Sequence, residues 1–225
     1  MAEKLDTLDK SILFHGELLK DEADQRLKRA LDVCLGLAGI FFACPLILIT
    51  GCILWIDSKG RFFFEQERIG KNGRGFKMLK FATMSANEKN LLSDHFQKYP
   101  QAQKEWDQTH KLRNDPRITR IGKILRATSL DELPQLINVV KGEMSLVGPR
   151  PILPEEIDQY TDRFDLYKTV RPGLTGLWQV SGRNKKTFLE RVELDEYYIK
   201  KWSIRLDLLI LFRTIWVVIR RDGAY

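Results

Sequence analysis

Cysteine is scarce and poorly placed for its usual structural roles. The chain has three: Cys34, Cys44 and Cys52, all inside one apolar segment. The number is odd and no nearby histidine completes a metal pattern, which argues against a disulfide framework or a zinc site. They read instead as small side chains facing a core or a membrane. Internal repeats and low-complexity tracts are absent. A cleavable leader is not expected either, because the one long apolar run begins too late and lacks a small-residue cleavage site.

Apolar residues make up 44% of the 225-residue chain, which excludes wholesale disorder and suffices for one domain with appendages. The net charge of +7 favours polyanionic partners: anionic lipid, phosphorylated compounds or nucleic acid. Nucleic acid is the least favoured of these. The basic residues alternate with membrane-type segments, and no recognition element accompanies them.

The apolar run VCLGLAGIFFACPLILITGCILWI, residues 33–56, carries no charge and is long enough for a hydrocarbon core of about 30 Å. Pro45 stands at its midpoint, where it removes a helix hydrogen bond and crowds the preceding turn, so a kink or break is expected. Both flanks are basic: Arg26, Lys28 and Arg29 before, and Lys59, Arg61, Arg68, Lys71 and Arg74 after. The positive-inside rule then puts both ends on one side. Two readings follow, a proline-kinked single span and a re-entrant helix–break–helix. Asp32 is within a turn of Lys28 and Arg29, where it either forms an ion pair that sets the segment's angle or stays solvated.

Elsewhere the signals are mixed. Residues 61–84 pattern as a hairpin around Asn72-Gly73. Residues 87–110 are helical in composition, with an interruption at Pro100. Short helices are expected over 118–127, from Pro134 to Val140 and over 161–170, and a longer one over 187–202. The stretch 204–219 is dense in Leu, Ile and aromatics yet holds Arg205, Asp207 and Arg213, so it cannot span a bilayer cheaply. It reads as an interfacial amphipathic helix or as a core helix.

The stretch SLDELPQLINVVKGEMSLVGPRP, residues 129–151, places Asp131 and Glu132 just before a proline-led apolar run. One reading is structural, with Ser129 and Glu132 forming a capping box. The other is chemical. Both possible helix starts set Asp131 at a helix N-terminus, where positive potential keeps a carboxylate ionised and hence nucleophilic toward phosphorus. Glu132 then supplies a second cation ligand or a proton acceptor. Basic residues crowd both sides, and Arg150 is held rigid between Pro149 and Pro151, as suits phosphate recognition by a guanidinium fork. Arg171-Pro172-Gly173 repeats the device.

Taken together these motifs resemble the bacterial sugar transferases, the monotopic polyprenol-phosphate phosphoglycosyl transferases. The carrying residues are KRALD before the apolar run, Cys44-Pro45 within it, and ERIGKNGRGFKMLKFATM. They continue with DPRITRIGKILRATSLDELPQLINVVKGEMSLVGPRP, VRPGLTGLWQVSGRN and the terminal RRDGAY. The resemblance covers the catalytic module of larger members that also carry a multi-pass N-terminal region. It implies an α+β, mostly helical fold: an N-terminal arm (1–25), a re-entrant membrane helix broken at Cys44-Pro45 (26–57), and a catalytic domain (58–225). That last region would contain a small β-hairpin and interfacial helices around a cytoplasmic-face active site at the bacterial inner membrane.

The implied reaction moves a hexose 1-phosphate from a UDP-hexose to undecaprenyl phosphate, with Mg²⁺, through a phosphosugar–aspartate intermediate. It would open O-antigen, capsule or exopolysaccharide synthesis. By motif, Asp131 is the nucleophile and Glu132 its partner, both holding the metal. Lys80, Arg126 and Arg150 are placed near phosphates, and Arg171, Trp178, Gln179 and Arg183 help to shape the substrate site. Expected partners are the two substrates, inner-membrane lipids and, as a homodimer, a second copy. The competing reading is a non-catalytic adaptor on acidic lipid. Two positions depart from the family pattern: Cys44 stands where serine is usual, and Ala82 where arginine is usual.

Overall fold

The computed structural model describes residues 22–57, 62–85, 87–109, 112, 114–182 and 186–220. Most of the expected N-terminal arm lies outside these residues, as do Lys59, Arg61, Arg113, Arg183 and most of the terminal RRDGAY. The chain divides into two compact units: residues up to 40 with 66–78 and 135–223, and residues 41–65 with 79–134.

Helix α1 runs from Glu22 to Asp57. It is the one described helix long and apolar enough to cross a membrane. Leu37, Phe41, Phe42, Leu48, Ile49 and Trp55 are each more than half exposed along it. An apolar surface of that extent left bare marks a protein–protein or membrane contact. The break expected at Cys44-Pro45 does not end the helix, since Pro45 lies inside it. Proline withholds one N–H from the ladder, a loss the flanking turns can bridge. All three cysteines on this helix are free and exposed.

The polar start of α1 is tied into the first unit. Lys28 Nζ donates to Asp207 Oδ2 at 2.5 Å and to the Val147 carbonyl at 3.0 Å. Arg29 donates to the carbonyls of Val139 and Val140, both at 2.6 Å. Asp32 is buried and accepts from Leu146 N–H at 2.9 Å and Ser145 Oγ at 3.0 Å. Asp32 is therefore neither solvated nor confined to its own helix. It holds a strand more than a hundred positions away.

Strands β1 (Phe63–Ile69) and β2 (Gly75–Phe81) pair as the expected hairpin. Asn72 turns it at φ 61°, a left-handed conformation that asparagine tolerates well. Helices α2 (Glu88–Lys98) and α3 (Pro100–Thr109) meet at the proline as anticipated. Helix α4 (Arg120–Ala127) is capped by Thr119, whose side chain accepts from Gly122 N–H. Gly122 is needed here, because a Cβ would sit 2.2 Å from the Thr83 carbonyl oxygen. Helix α5 is Gln135–Lys141.

Strand β3 (Ser145–Val147) pairs in parallel with β4 (Gly173–Thr175), in the register Ser145 to Gly173. This pairing had no signal in a two-residue alternation so short. It brings the two proline-flanked arginine loops side by side: Gly173 N–H donates to the Pro149 carbonyl at 2.7 Å, and Gly148 N–H to the Thr175 carbonyl at 2.9 Å. A Cβ on Gly173 would meet Gly148 N at 2.1 Å, so only glycine permits the approach.

Between them lie two single-turn helices, α6 (Ile157–Tyr160) and α7 (Phe164–Tyr167), with Thr161 at φ 50° dividing them. The continuous helix expected over 161–170 is thus only a turn. The short helix α8 (Leu177–Val180) follows. The longer α9 (Phe188–Lys200) starts at a capping box of Thr187 and Glu190, and α10 runs from Ile204 to Arg220. Helix α10 contributes one face to the core and leaves another exposed. Leu206, Asp207 and Ile210 pack inward against Val147, Tyr198 and Trp202, while Leu208, Phe212, Ile215, Trp216 and Ile219 stand more than half exposed. Arg220 covers the Trp216 ring at 4.3 Å, as in an interfacial belt.

Candidate active site

In the second unit the acidic pair sits on a single 3-10 turn, Leu130–Glu132. Ser129 enters that turn at φ 57° and its side chain makes no cap bond. The expected capping box does not form. Ser129 is left-handed and not in the extended conformation of an N-cap, and Pro134 has no N–H to offer the Leu130 carbonyl, so the helix begun at Leu130 stops after one turn and restarts at Gln135. Asp131 therefore lies on a tight turn, not at the N-terminus of an extended helix.

Its electrostatics also differ from expectation. Asp131 is 8% exposed, and burial pushes its carboxyl up to about 6. Lys80 and Arg126 pull it down, and Glu132 adds to the rise. Burial thus outweighs the neighbouring cations. Near neutral pH the group is still mostly ionised but poorly solvated, which suits a nucleophile better than a fully hydrated carboxylate would. Glu132 Oε1 accepts from Lys80 Nζ at 2.8 Å.

Arg126 is fixed by donating its Nε–H to Thr83 Oγ1 at 2.9 Å, and Asp131 and Asp115 offset its burial. Asp115 and Arg117 form a bidentate pair with N–O distances from 2.6 to 3.1 Å, and Arg117 also lies 4.8 Å over Trp106. That pair closes its own loop.

In the first unit, Arg150 stacks 5.1 Å from the Trp178 ring, which Arg191 approaches at 5.8 Å. Arg191 is bound to Glu156 at 3.0 Å, with Arg68 3.9 Å from the same carboxylate. Tyr167 Oη donates to the Ile69 carbonyl at 3.0 Å and lies 3.2 Å from the Arg150 carbonyl. Asp195 is fully enclosed and accepts from Tyr160 Oη at 2.9 Å. Burial pushes its carboxyl up to about 7, against Tyr160 and the arginines.

Comparison with known proteins gives the family. The bacterial sugar transferase family model matches residues 23–221. The chain belongs to this family. It is 44% identical to the exopolysaccharide production protein ExoY of Sinorhizobium fredii, over 88% of each chain. It is 44% identical to the undecaprenyl-phosphate galactose phosphotransferase of Salmonella typhimurium, over 92% of this chain and 43% of that protein. With the UDP-glucose:undecaprenyl-phosphate glucose-1-phosphate transferase of Caulobacter vibrioides it shares 39% identity, over 93% and 76%. The chain spans well under half the length of several curated relatives that it matches.

Against the family motifs, the structure groups Asp131, Glu132, Lys80 and Arg126 within one unit and Arg150 with Trp178 within the other. Lys80 serves Glu132 directly. Arg171 is engaged differently: its Nε–H donates to the Gly142 carbonyl at 2.7 Å, tying β4 to the end of α5. Gln179 shares the turn of Trp178 and is half-buried. Sequence reasoning missed Thr83, Arg68, Glu156 and Arg191. Thr83 neighbours the departure at Ala82, so the motif pointed to it. Arg191 carries no local signal, because its partner Glu156 is distant in sequence.

A magnesium ion fits the donor set. Adjacent carboxylates are hard oxygen ligands, and Mg²⁺ typically takes one or two of them and completes its shell with substrate phosphates and water. Among the described residues no cluster of three or more His, Cys, Asp or Glu side chains offers a metal a complete protein cage. A site of this kind suits an ion that arrives with a pyrophosphate.

Proposed function

We propose that this chain transfers a hexose 1-phosphate from a UDP-hexose to undecaprenyl phosphate, an opening membrane step of O-antigen, capsule or exopolysaccharide synthesis. The observation that carries the reading is Asp131: a buried carboxylate with a raised pKa, flanked by Lys80, Arg126 and Glu132, in a member of this family. The relatives' names support the substrate class and differ in the sugar, galactose, glucose or N-acetylgalactosamine, so the sugar is left at the level of a hexose.

Asp131 attacks the phosphorus that bears the sugar. The bond from that phosphorus to the UMP oxygen breaks, and UMP leaves with the bonding pair. The sugar phosphate is then esterified to Asp131. A phosphate oxygen of undecaprenyl phosphate attacks the same phosphorus, the bond to Asp131 breaks, and the carboxylate returns as the lipid diphosphate sugar departs. Arg126 stabilises negative charge building on the phosphoryl oxygens. Lys80 holds Glu132 oriented beside Asp131. Magnesium, held by Asp131 and Glu132 when bound, supplies charge neutralisation on the pyrophosphate.

Membrane seating supports the same reading. The exposed apolar faces of α1 and α10 would lie in the bilayer, and the basic flanks of α1 favour a re-entrant seating with both its ends on the cytoplasmic face of the inner membrane. A lipid adaptor would use these surfaces too, but it gives no reason for burying Asp131.

The test is UMP release from a panel of UDP-sugars with undecaprenyl phosphate and Mg²⁺, followed by mass spectrometry of trapped protein. Asp131→Asn is expected to abolish both transfer and the covalent phosphosugar, while the variant folds and sediments with membranes. Full turnover by Asp131→Asn would end the proposal.

A further inference from the structure

In the first unit the backbone of Pro149-Arg150-Pro151 is fixed group by group. The Pro149 carbonyl accepts from Gly173 N–H at 2.7 Å, and the Pro151 carbonyl from Arg68 Nη1 at 2.9 Å. The Arg150 carbonyl lies 3.2 Å from Tyr167 Oη, which also accepts from Ile152 N–H at 3.3 Å. Three elements, β4, β1 and α7, thus each take one carbonyl. Proline has no N–H, so Arg150 carries the segment's only amide donor. No backbone carbonyl among the described residues takes it. It faces the carboxylate of Asp195 on α9.

Asp195 is 1% exposed. Its Oδ2 accepts from Tyr160 Oη at 2.9 Å, while its Oδ1 has no partner at hydrogen-bond distance. The Nε atoms of Arg68, Arg150 and Arg191 and the Trp178 indole Nε1 are likewise buried and unmet. An acceptor and several donors therefore stand in one cluster without closing on each other, and site hydrogen bonds that are long in the free protein commonly tighten when substrate binds.

The groups that act on Asp195 are Arg191 on its own helix, Arg150 on the loop, Tyr160 on α6 and Tyr167 on α7. Behind them Glu156 binds Arg191 and lies 3.9 Å from Arg68. Burial prevails over the cations and pushes the Asp195 carboxyl up to about 7, so its charge costs the folded state stability at higher pH. A neutral side chain of the same shape would suit the fold better. A group that the architecture would do better without, set against the Arg150 amide, serves the site.

We propose that Asp195 is a positioning residue for Arg150: its carboxylate draws on the Arg150 N–H and on Arg191, and so sets where the Arg150 guanidinium stands over Trp178. Arg150 and Arg191 lie 5.1 and 5.8 Å from that ring, so a charge on Asp195 is felt by both of its neighbours. Asp195 is enclosed and does not itself reach a substrate. Its effect on turnover rests on the transfer reaction given above, with Arg150 meeting the UDP-hexose as the family motifs imply.

Two measurements on the nanodisc-embedded chain test this. One needs no substrate. In protein labelled with 5-fluorotryptophan, the Trp178 fluorine resonance, assigned with Trp178→Phe, should move with pH through about 7 in wild type and in Asp131→Asn, and stay still in Asp195→Asn. The other is kinetic. At pH 8 Asp195→Asn should raise KM for the UDP-hexose about fivefold, as when a charged hydrogen bond becomes neutral, with kcat within about twofold. The gap should close as pH falls below about 7, where the wild-type carboxyl is itself protonated. In an Arg150→Met background the same substitution should change KM by less than about twofold. Denaturant unfolding at pH 8 should find Asp195→Asn at least as stable as wild type, an outcome that a purely architectural carboxylate does not allow. A Trp178 signal that fails to titrate in wild type or Asp131→Asn, or still titrates in Asp195→Asn, overturns the positioning role whether or not the chain transfers sugar phosphate. So does an unchanged KM, an equal effect in the Arg150→Met background, or a loss of stability in Asp195→Asn. Absence of UMP release by wild type from every UDP-sugar would instead end the transferase reading, and the fluorine titration would then decide for Asp195.

Discussion

The first unit contains two buried charged clusters of opposite character. Around Asp207 every group is met: Lys28 at 2.5 Å, Tyr198 Oη at 2.7 Å and Trp202 Nε1 at 3.1 Å all converge on it, and the Val147 carbonyl takes the remaining Lys28 and Tyr198 contacts. Around Trp178, three guanidinium groups and the indole leave buried donors unmet, and Asp195 leaves a buried oxygen unmet beside them. The closed cluster has nothing left to offer a ligand and fastens α1 to β3 and α10. The open cluster keeps polar atoms that its own contacts do not meet. Buried charge alone does not separate architecture from function, but the balance of donors and acceptors does.

That contrast makes the largest prediction. Lys28→Met strands Asp207 without its cation, and loss of about 3–5 kcal/mol is expected, as for breaking a buried pair from one side. Arg150→Met removes an unpaired cation from among like charges and should stay within about 1 kcal/mol of wild type. Denaturant unfolding of both variants in the same detergent checks this. Equal losses would erase the distinction.

The carboxylate of the second unit sharpens the comparison from the acidic side. The Asp131 carboxyl is raised from 3.8 to about 6, so the folded state holds its proton more tightly than the unfolded one. Its ionisation therefore costs stability, increasingly as pH rises from about 4 to 6 and fully above that. Asp131→Asn, studied free of divalent cations, should be more stable than wild type by about 3 kcal/mol at pH 7.5 and indistinguishable from it below pH 3.8. No gain at pH 7.5 would mean that the group is solvated.

Activity should follow the same titration. Attack needs the ionised form, so kcat/KM is expected to fall as pH drops through about 6, the limb that reports the free enzyme. Lys80 is the strongest influence pulling that carboxyl down. In Lys80→Met the limb should move to higher pH, on top of any loss in rate. A limb that stays put would place the titration on another group.

The helices and the hairpin were legible in sequence, because apolar periodicity, Asn72-Gly73, Pro100 and the basic flanks act locally. The acidic pair was legible as chemistry, but its environment was not. The turn that carries it packs through Leu130 and Leu133 against Leu54, Phe81 and Leu125, which no local pattern announces. The Arg191–Glu156 pair and the β3–β4 pairing were hidden for the same reason. Both depend on residues far apart in sequence and, for β3–β4, on glycines that matter only when two loops meet. At Pro45 a strong local signal for a kink or break does not end the helix, which runs through it.

The two hydroxyl-x-x-glutamate stretches bring that lesson down to the smallest measurable effect. At Thr187 the box closes: Thr187 Oγ1 accepts from Glu190 N–H at 3.2 Å, and Thr187 N–H donates to Glu190 Oε2 at 2.8 Å. At Ser129 the same spacing fails, because Pro134 denies the following turn its next hydrogen bond and Ser129 adopts φ 57°. Thr187→Ala should therefore cost about 1 kcal/mol. Ser129→Ala removes no cap and should change stability by only a few tenths, whereas Ser129→Gly should gain about 0.5–1 kcal/mol by relieving the left-handed backbone. Thermal unfolding of the three variants ranks them, and a Ser129→Ala loss equal to that of Thr187→Ala would show that the serine caps after all.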